Sequence, residues 1–188
     1  MYVRDAKKRE EVWLLDRFEE FGFEDPAFRS RDYVIAIDED AGRKVGFGRI
    51  RIHSEASEFC EVTCVGVLPD WRGQGVGAHV VERLVENARD QGFEVVYAFT
   101  SETDYFEQFG FEGVAEDELA PALQNRLANV RGSYDPDAVP IRVAVSGFSV
   151  PTRLRRRFEN DDEEPEESPE DFGIDPDSAT YKYDTGGR

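Results

Sequence analysis

The chain has 188 residues, 39% hydrophobic and 12% aromatic, enough for one packed domain with an extension. Its net charge of −18 divides unevenly: residues 159–188 carry twelve acids against Lys182 and Arg188, a net −10, leaving −8 on the first 158 residues. Such an acidic chain repels nucleic acid and anionic membrane, and no apolar run approaches the roughly 20 residues that span a bilayer.

Met1-Tyr2-Val3-Arg4-Asp5 lacks the apolar core of a signal peptide, so a cytoplasmic location is expected. The acid excess covers the body as well as the tail. This reads as adaptation to a high-salt, halophilic cytoplasm where counterions screen self-repulsion; the plain alternative is an acidic protein with an acidic tail. Cys60 and Cys64, four apart on an expected strand, fall on one face roughly 13 Å apart and read as small buried thiols rather than a disulfide. His53 and His79 do not fall at metal-ligand spacing, and no metal is expected.

A short strand, Tyr2-Val3-Arg4, precedes an amphipathic helix from Lys7 to Phe21, with Val12, Leu15 and Phe18 at helical spacing and Gly22 as its stop. Tyr33 to Ile37 and Val45 to His53 form a hairpin around the turn Asp38-Glu39-Asp40-Ala41-Gly42. Glu58 to Leu68 is a third strand, in which Glu61 shares a register with Thr63, Val65 and Val67. A strong helix runs from Val76 to Gln91, a strand from Val95 to Phe99, a short helix from Thr103 to Phe109 and a further strand from Phe111. Another helix (Pro121 to Val130), a strand (Val139 to Val145) and a basic helix (Thr152 to Phe158) follow. The predicted class is α/β in the α+β sense: a mixed, mostly antiparallel central sheet flanked by helices. Residues 1–158 form the domain. Residues 159–188 are too charged to bury a core and read as a mobile tail, one that could lie electrostatically over the basic helix.

The chemical signal is the loop Leu68-Pro69-Asp70-Trp71-Arg72-Gly73-Gln74-Gly75-Val76-Gly77 between a strand and a helix. Its glycines allow close backbone approach, and the helix start offers free N–H groups and the positive end of a dipole, which suits a phosphate or pyrophosphate. A P-loop would need Gly-Lys-Ser/Thr, which is absent. Gly73, Gly75 and Ala78 formally fit a dinucleotide fingerprint, but antiparallel strands precede it and four residues separate the strand from the glycines. A purely structural glycine loop is the remaining alternative.

Arg72-x-x-Gly75-x-Gly77 resembles the acetyl-CoA signature Q/R-x-x-G-x-G/A of the GNAT N-acetyltransferase superfamily. Tyr105-Phe106-Glu107-Gln108-Phe109-Gly110-Phe111 is similar to its helix-to-strand segment ending in Gly-Phe, and Glu61 to Arg72 to its E-I/V-x-x-V-x-V-x-P-D-Y/W-R strand. The resemblance covers residues 1–115 and is nearest the amino-acid N-acetyltransferase branch. It implies a sheet splayed near Val67 and Val95, with acetyl-CoA as co-substrate in the cleft. The pantetheine arm would pair with Val65 and Val67, and the pyrophosphate would sit on the amides of Arg72, Gly73, Gln74, Gly75, Val76 and Gly77. It also implies direct attack by a primary amine, with Glu61 as base, the Val67 amide as oxyanion donor and a tyrosine as acid. The family's tyrosine position holds Phe106, so the acid is Tyr105, a water, or nothing. Arg49 and Arg51 could hold an acceptor carboxylate, or be ordinary surface arginines. A small amine or amino acid is the expected acceptor. A peptide or protein amine, and a non-catalytic acyl-CoA-binding module, are the alternatives. The segment after Val114 carries no motif; it could cover the acceptor site or form a homodimer contact. Arg153 to Arg157 reads as a surface helix rather than a nucleic-acid contact.

Overall fold

The computed structural model describes residues 1–155. The acidic tail, residues 159–188, and residues 156–158, over which the sequence predicts the basic helix to continue, lie outside the described residues.

Strands β1 (Tyr2–Asp5), β2 (Tyr33–Asp38), β3 (Arg43–His53) and β4 (Phe59–Val67) pair antiparallel with their neighbours. Helix α1 (Glu11–Phe21) lies between β1 and β2 in sequence, and Gly22 ends it with a left-handed φ of 68°. Its buried Leu14 and Phe18 pack with Tyr33, Ile35 and Phe47 on one face of the sheet. Helix α2 (Val76–Asp90) covers the other face through Val76, Val80, Val81, Leu84 and Val85. It lies close because β3 presents glycine there: a Cβ added at Gly48 would stand 2.7 Å from Val80 and 2.8 Å from Leu84.

Then come β5 (Val95–Thr100), α3 (Thr103–Glu107), the two-residue β6 (Glu112–Gly113), α4 (Pro121–Ser133), β7 (Val139–Ala144) and α5 (Thr152–Arg155). The seven strands form one sheet in the order β1-β2-β3-β4-β5-β7-β6, with β4 and β5 the parallel pair. The expected mixed, mostly antiparallel sheet is thus present. The predicted elements differ at their ends by up to four residues. The largest change is at the start of α1, where Lys8–Glu10 is a turn of 3-10 helix.

Two irregularities shape the functional region. β4 and β5 pair only at Cys60↔Val96 and Glu61↔Tyr97, then diverge, so the rest of β4 faces a cleft. In addition, Phe47 faces Gly66 while Arg49 faces Thr63, leaving Cys64 and Val65 opposite Gly48 alone. This β-bulge contains Cys64 at φ 52°, a left-handed value rare outside glycine.

The bulge reverses the side-chain alternation. Cys60 and Val62 point to α2, but Cys64 packs with the α1 cluster, while Val65 and Val67 return to the α2 side. Two expectations are corrected by it. Glu61 and Thr63 do not share a face with Val65 and Val67, and Cys60 and Cys64 point to opposite faces. Both thiols are buried and free, and burial pushes Cys60 up to about 12 and Cys64 up to about 11.

Candidate functional site

The divergence of β4 and β5 opens a cleft of about 740 Å³. One wall is β4 from Val62 to Val67, the opposite wall is Ala98 to Glu102, and the floor at one end is the start of α2. The Leu68 amide donates to the Val45 carbonyl at 2.9 Å, so the antiparallel alternation turns the backbone groups of Val67 away from β3, along the cleft edge. Val65, two residues earlier, stands on the same edge. The Val67 carbonyl already accepts from Arg72 Nε at 3.1 Å.

Gly73 and Gly75 have φ of 70° and 86°, and Gly75 is the residue before the first turn of α2. Among the described residues no side chain caps that turn, and a helix start leaves its first N–H groups without intrahelical partners. Arg72, Gly73, Gly75, Val76 and Gly77 are among the residues that line the cleft, and Gln74 is not. The Arg72 side chain turns back to Val67 and over the Phe21 ring, 5.8 Å away, rather than toward the loop. Gln74 donates to the Asp70 carbonyl at 3.0 Å, bracing the loop.

Helix α5 sits on this loop. The Leu154 carbonyl oxygen would be 2.6 Å from a Cβ at Gly75 and is 3.2 Å from His79 Nε2. Glu82 ties α2 to α5, accepting from Arg155 at 2.6 Å and contacting His79 Nδ1 at 3.1 Å.

The two cleft tyrosines lie at different places. The Tyr105 hydroxyl rests on Gly77, in the first turn of α2, and burial pushes its pKa up to about 12. Phe106 is buried in the core against Phe111. Tyr134, at the end of α4, enters from the other side; its hydroxyl is 3.3 Å from Thr63 Oγ1. Thr63 stands just beyond the last β4–β5 pair, at the apex of the divergence. Asp135 fixes this end of α4 to the end of β5, accepting from the Ser101 amide at 2.8 Å and its hydroxyl at 3.1 Å.

Glu61 lies on the α4 face and is fully buried. It accepts from Arg126 Nε at 2.8 Å and Arg126 Nη2 at 3.0 Å, and is 2.7 Å from His53 Nε2. Burial alone would raise its carboxyl, but the His53 and Arg126 hydrogen bonds and the Arg126 charge hold it below the usual carboxylate range.

Next to this triad is a second cavity of about 820 Å³, lined in part by Arg29, Arg31, Arg49, Arg51, His53 and Arg126. Of the two arginines singled out by sequence, Arg49 is consumed: it is buried, ion-paired with Asp25 and with Asp32 at 3.2 Å, and donates to Ala27 at 2.8 Å. Arg51 is half-buried and, among the described residues, has no side-chain partner. Thr63, Tyr134 and Arg126 are the site residues that sequence reasoning missed. No motif marks the last two, and Thr63 appeared only as a register neighbour of Glu61. Among the described residues no group of three or more His, Cys, Asp or Glu could hold a metal ion.

Comparison with known proteins agrees with this geometry. The chain is 34% identical over 94 residues to an amino-acid acetyltransferase of Mycobacterium tuberculosis, covering 50% of this chain and 51% of that protein. It is 29% identical over 100 residues to mycothiol acetyltransferase of Thermobifida fusca, covering 47% of this chain and 31% of that protein. The chain therefore spans about half, or less, of the length of these relatives. The fold is shared with N-acetylglutamate synthase from Neisseria gonorrhoeae, solved with coenzyme A and N-acetyl-glutamate (TM-score 0.62, 19% identity, 76% of this chain and 34% of that one). It is also shared with Rv2747 of M. tuberculosis, solved with CoA (TM-score 0.63, 20% identity, 77% of this chain and 99% of that one). Residues 2–111, which carry the splayed strands and the glycine loop, match the family described as Acetyltransferase (GNAT) family. The chain belongs to that family.

Proposed function

We propose that this protein transfers the acetyl group of acetyl-CoA to the primary amine of a small carboxylate-bearing acceptor, an amino acid being the simplest. The observation that carries the cofactor half is the divergence of β4 and β5 onto an uncapped helix start. Pyrophosphate sits on the amides from Gly73 to Gly77, and the pantetheine arm runs along Val67 and Val65 as an added strand would. The thioester then lies past Val65, which moves the oxyanion role from Val67 to the Val65 amide at the bulge.

The acceptor half rests on charge. A chain of net charge −18 places five arginines around one cavity, and Arg51 is without a partner among the described residues. Arginine forks bind carboxylates bidentately and repel the cationic peptide that an acidic cleft would attract. The amine approaches the apex from this side, and Glu61 or a water beside it takes the ammonium proton. The Arg126 pair lowers the proton affinity of Glu61, so a base role for Glu61 requires that pair to loosen when acceptor binds.

The acidic surface favours a high-salt cytoplasm as the working medium, so the test is made in molar KCl. Thiol release from acetyl-CoA is followed with L-glutamate, other amino acids, simple alkylamines and lysine-rich peptides. Acidic and neutral amino acids are expected to turn over, with simple amines slower. Turnover of peptides alone would replace the small acceptor with a protein. Tight acetyl-CoA binding without turnover of any amine would leave a non-catalytic acyl-CoA-binding module.

A further inference from the structure

We propose that Tyr134, held by Thr63, is the proton donor to the departing CoA thiolate. The proposal rests on the cofactor placement given above, and then on three features of the chain itself.

The first is position. An arm that leaves the glycine loop and pairs with Val67 and then Val65 continues toward Thr63, each residue along β4 being about 3.3 Å. Thr63 is two residues beyond Glu61, the last β4 residue paired with β5. Past that point the joined strands close the cleft, so the reacting carbonyl and sulfur stop at the apex. The Tyr134 hydroxyl is there, 3.3 Å from Thr63 Oγ1, and Tyr134 lines the same cleft as Val65 and Val67.

The second is the absence of a better donor at the place the family resemblance points to. Phe106 has no proton to give and is buried in the core. The Tyr105 hydroxyl is committed to the first turn of α2, against Gly77, near the phosphate end of the arm.

The third is rigidity. Tyr134 is fixed by the hydrogen bond that its backbone N–H donates to the Val130 carbonyl at 3.1 Å, by the Asp135–Ser101 clasp and by an edge contact with Phe23 at 6.4 Å between ring centroids. A preorganised hydroxyl loses little freedom on meeting the sulfur.

The step balances without a further reagent. The amine nitrogen forms a bond to the thioester carbon, and the oxyanion collapses with cleavage of the C–S bond. The sulfur, leaving with the electron pair, takes the Tyr134 phenolic proton, while the nitrogen loses its extra proton to the base. Thr63 donates its hydroxyl hydrogen to the phenolate oxygen until water returns a proton to it. Thr63 is therefore a positioning residue, and Tyr134 the catalytic one.

The test measures kcat against pH, acceptor KM and acetyl-CoA affinity for the full chain and for Tyr134→Phe, Thr63→Val and Tyr105→Phe, with the fastest acceptor of the panel. Tyr134→Phe should lower kcat about 10- to 100-fold. This is the low end of general-acid effects, because a thiol of pKa about 8.5 already leaves readily. The alkaline limb of the kcat profile should disappear, with acetyl-CoA affinity within twofold. Thr63→Val should shift that limb upward, and Tyr105→Phe should keep the limb at its original pH, whatever it does to acetyl-CoA affinity. If Tyr134→Phe fails to fold, the shifted limb in Thr63→Val carries the test. An unchanged limb in Tyr134→Phe or in Thr63→Val, or a Tyr134→Phe effect confined to acceptor KM, would overturn the proposal while cofactor binding stands. Absence of acetyl-CoA binding by the unaltered chain would instead remove the placement on which it rests.

Discussion

At Glu61 three groups meet with almost no solvent: a carboxylate, the two-pronged guanidinium of Arg126 and the His53 ring, stacked on Phe59 at 4.2 Å. Removing one member of a buried pair leaves the other uncompensated, which costs about 3–5 kcal/mol. Glu61→Gln should therefore lower unfolding stability by about 3 kcal/mol near neutral pH. The folded carboxyl lies below the roughly 4.3 of an unfolded glutamate. Its contribution is complete above that value and is lost as pH falls through the folded-state value. The gap in urea midpoint between the two proteins should thus close in acid, and a gap that stays constant from neutral pH down to about 3 would contradict this. Sequence placed Glu61 on the right strand yet assigned it the wrong face, because a strict period of two cannot anticipate an extra residue. Nothing in Cys64 announces a φ of 52°.

The elements were more legible than the residues that join them. Periodicity found the helices and strands because burial on one face selects apolar residues at 3.6 or 2 spacing. The glycine loop was legible for a different reason: its backbone conformation excludes most other residues, as the φ of 70° at Gly73 and 86° at Gly75 bear out. Long-range contacts left no local trace. Tyr134 meets Thr63 across 71 residues, and the Leu154 carbonyl rests on Gly75 with no pattern in Pro151 to Arg155 to say so. That last contact has a consequence for binding. The Leu154 carbonyl oxygen stands over Gly75 at the approach to the helix start, and its partial negative charge repels a phosphate brought there. Acetyl-CoA should therefore push α5 off the loop. Trypsin cleavage after Arg153 and Arg155 should be faster with acetyl-CoA than without it, and protection would contradict the displacement.

Over the whole molecule, charge and shape divide the labour. The −18 surplus is carried by a chain that nonetheless places five arginines around the second cavity, among Asp5, Asp32, Glu55 and Asp90, which is the side from which the proposed acceptor would enter. The sheet supplies the rest: its antiparallel half, bulge and splay hold a cleft between β4 and β5 that runs from the start of α2 to Tyr134. No described helix is long and apolar enough to cross a membrane.

The cleft is the central claim, and calorimetric titration of the full chain with acetyl-CoA tests it most directly, in molar KCl with NADH as the control. A Gly73→Glu variant completes the experiment, because a Cβ there meets nothing within 4 Å and the new carboxylate would face the pyrophosphate; Gly73→Ala controls for the strain that any side chain meets at φ 70°. One-site binding of acetyl-CoA and none of NADH is expected, with both variants lowered in thermal midpoint and Gly73→Glu losing far more affinity than Gly73→Ala. No heat with acetyl-CoA, or equal binding by Gly73→Glu, would contradict it.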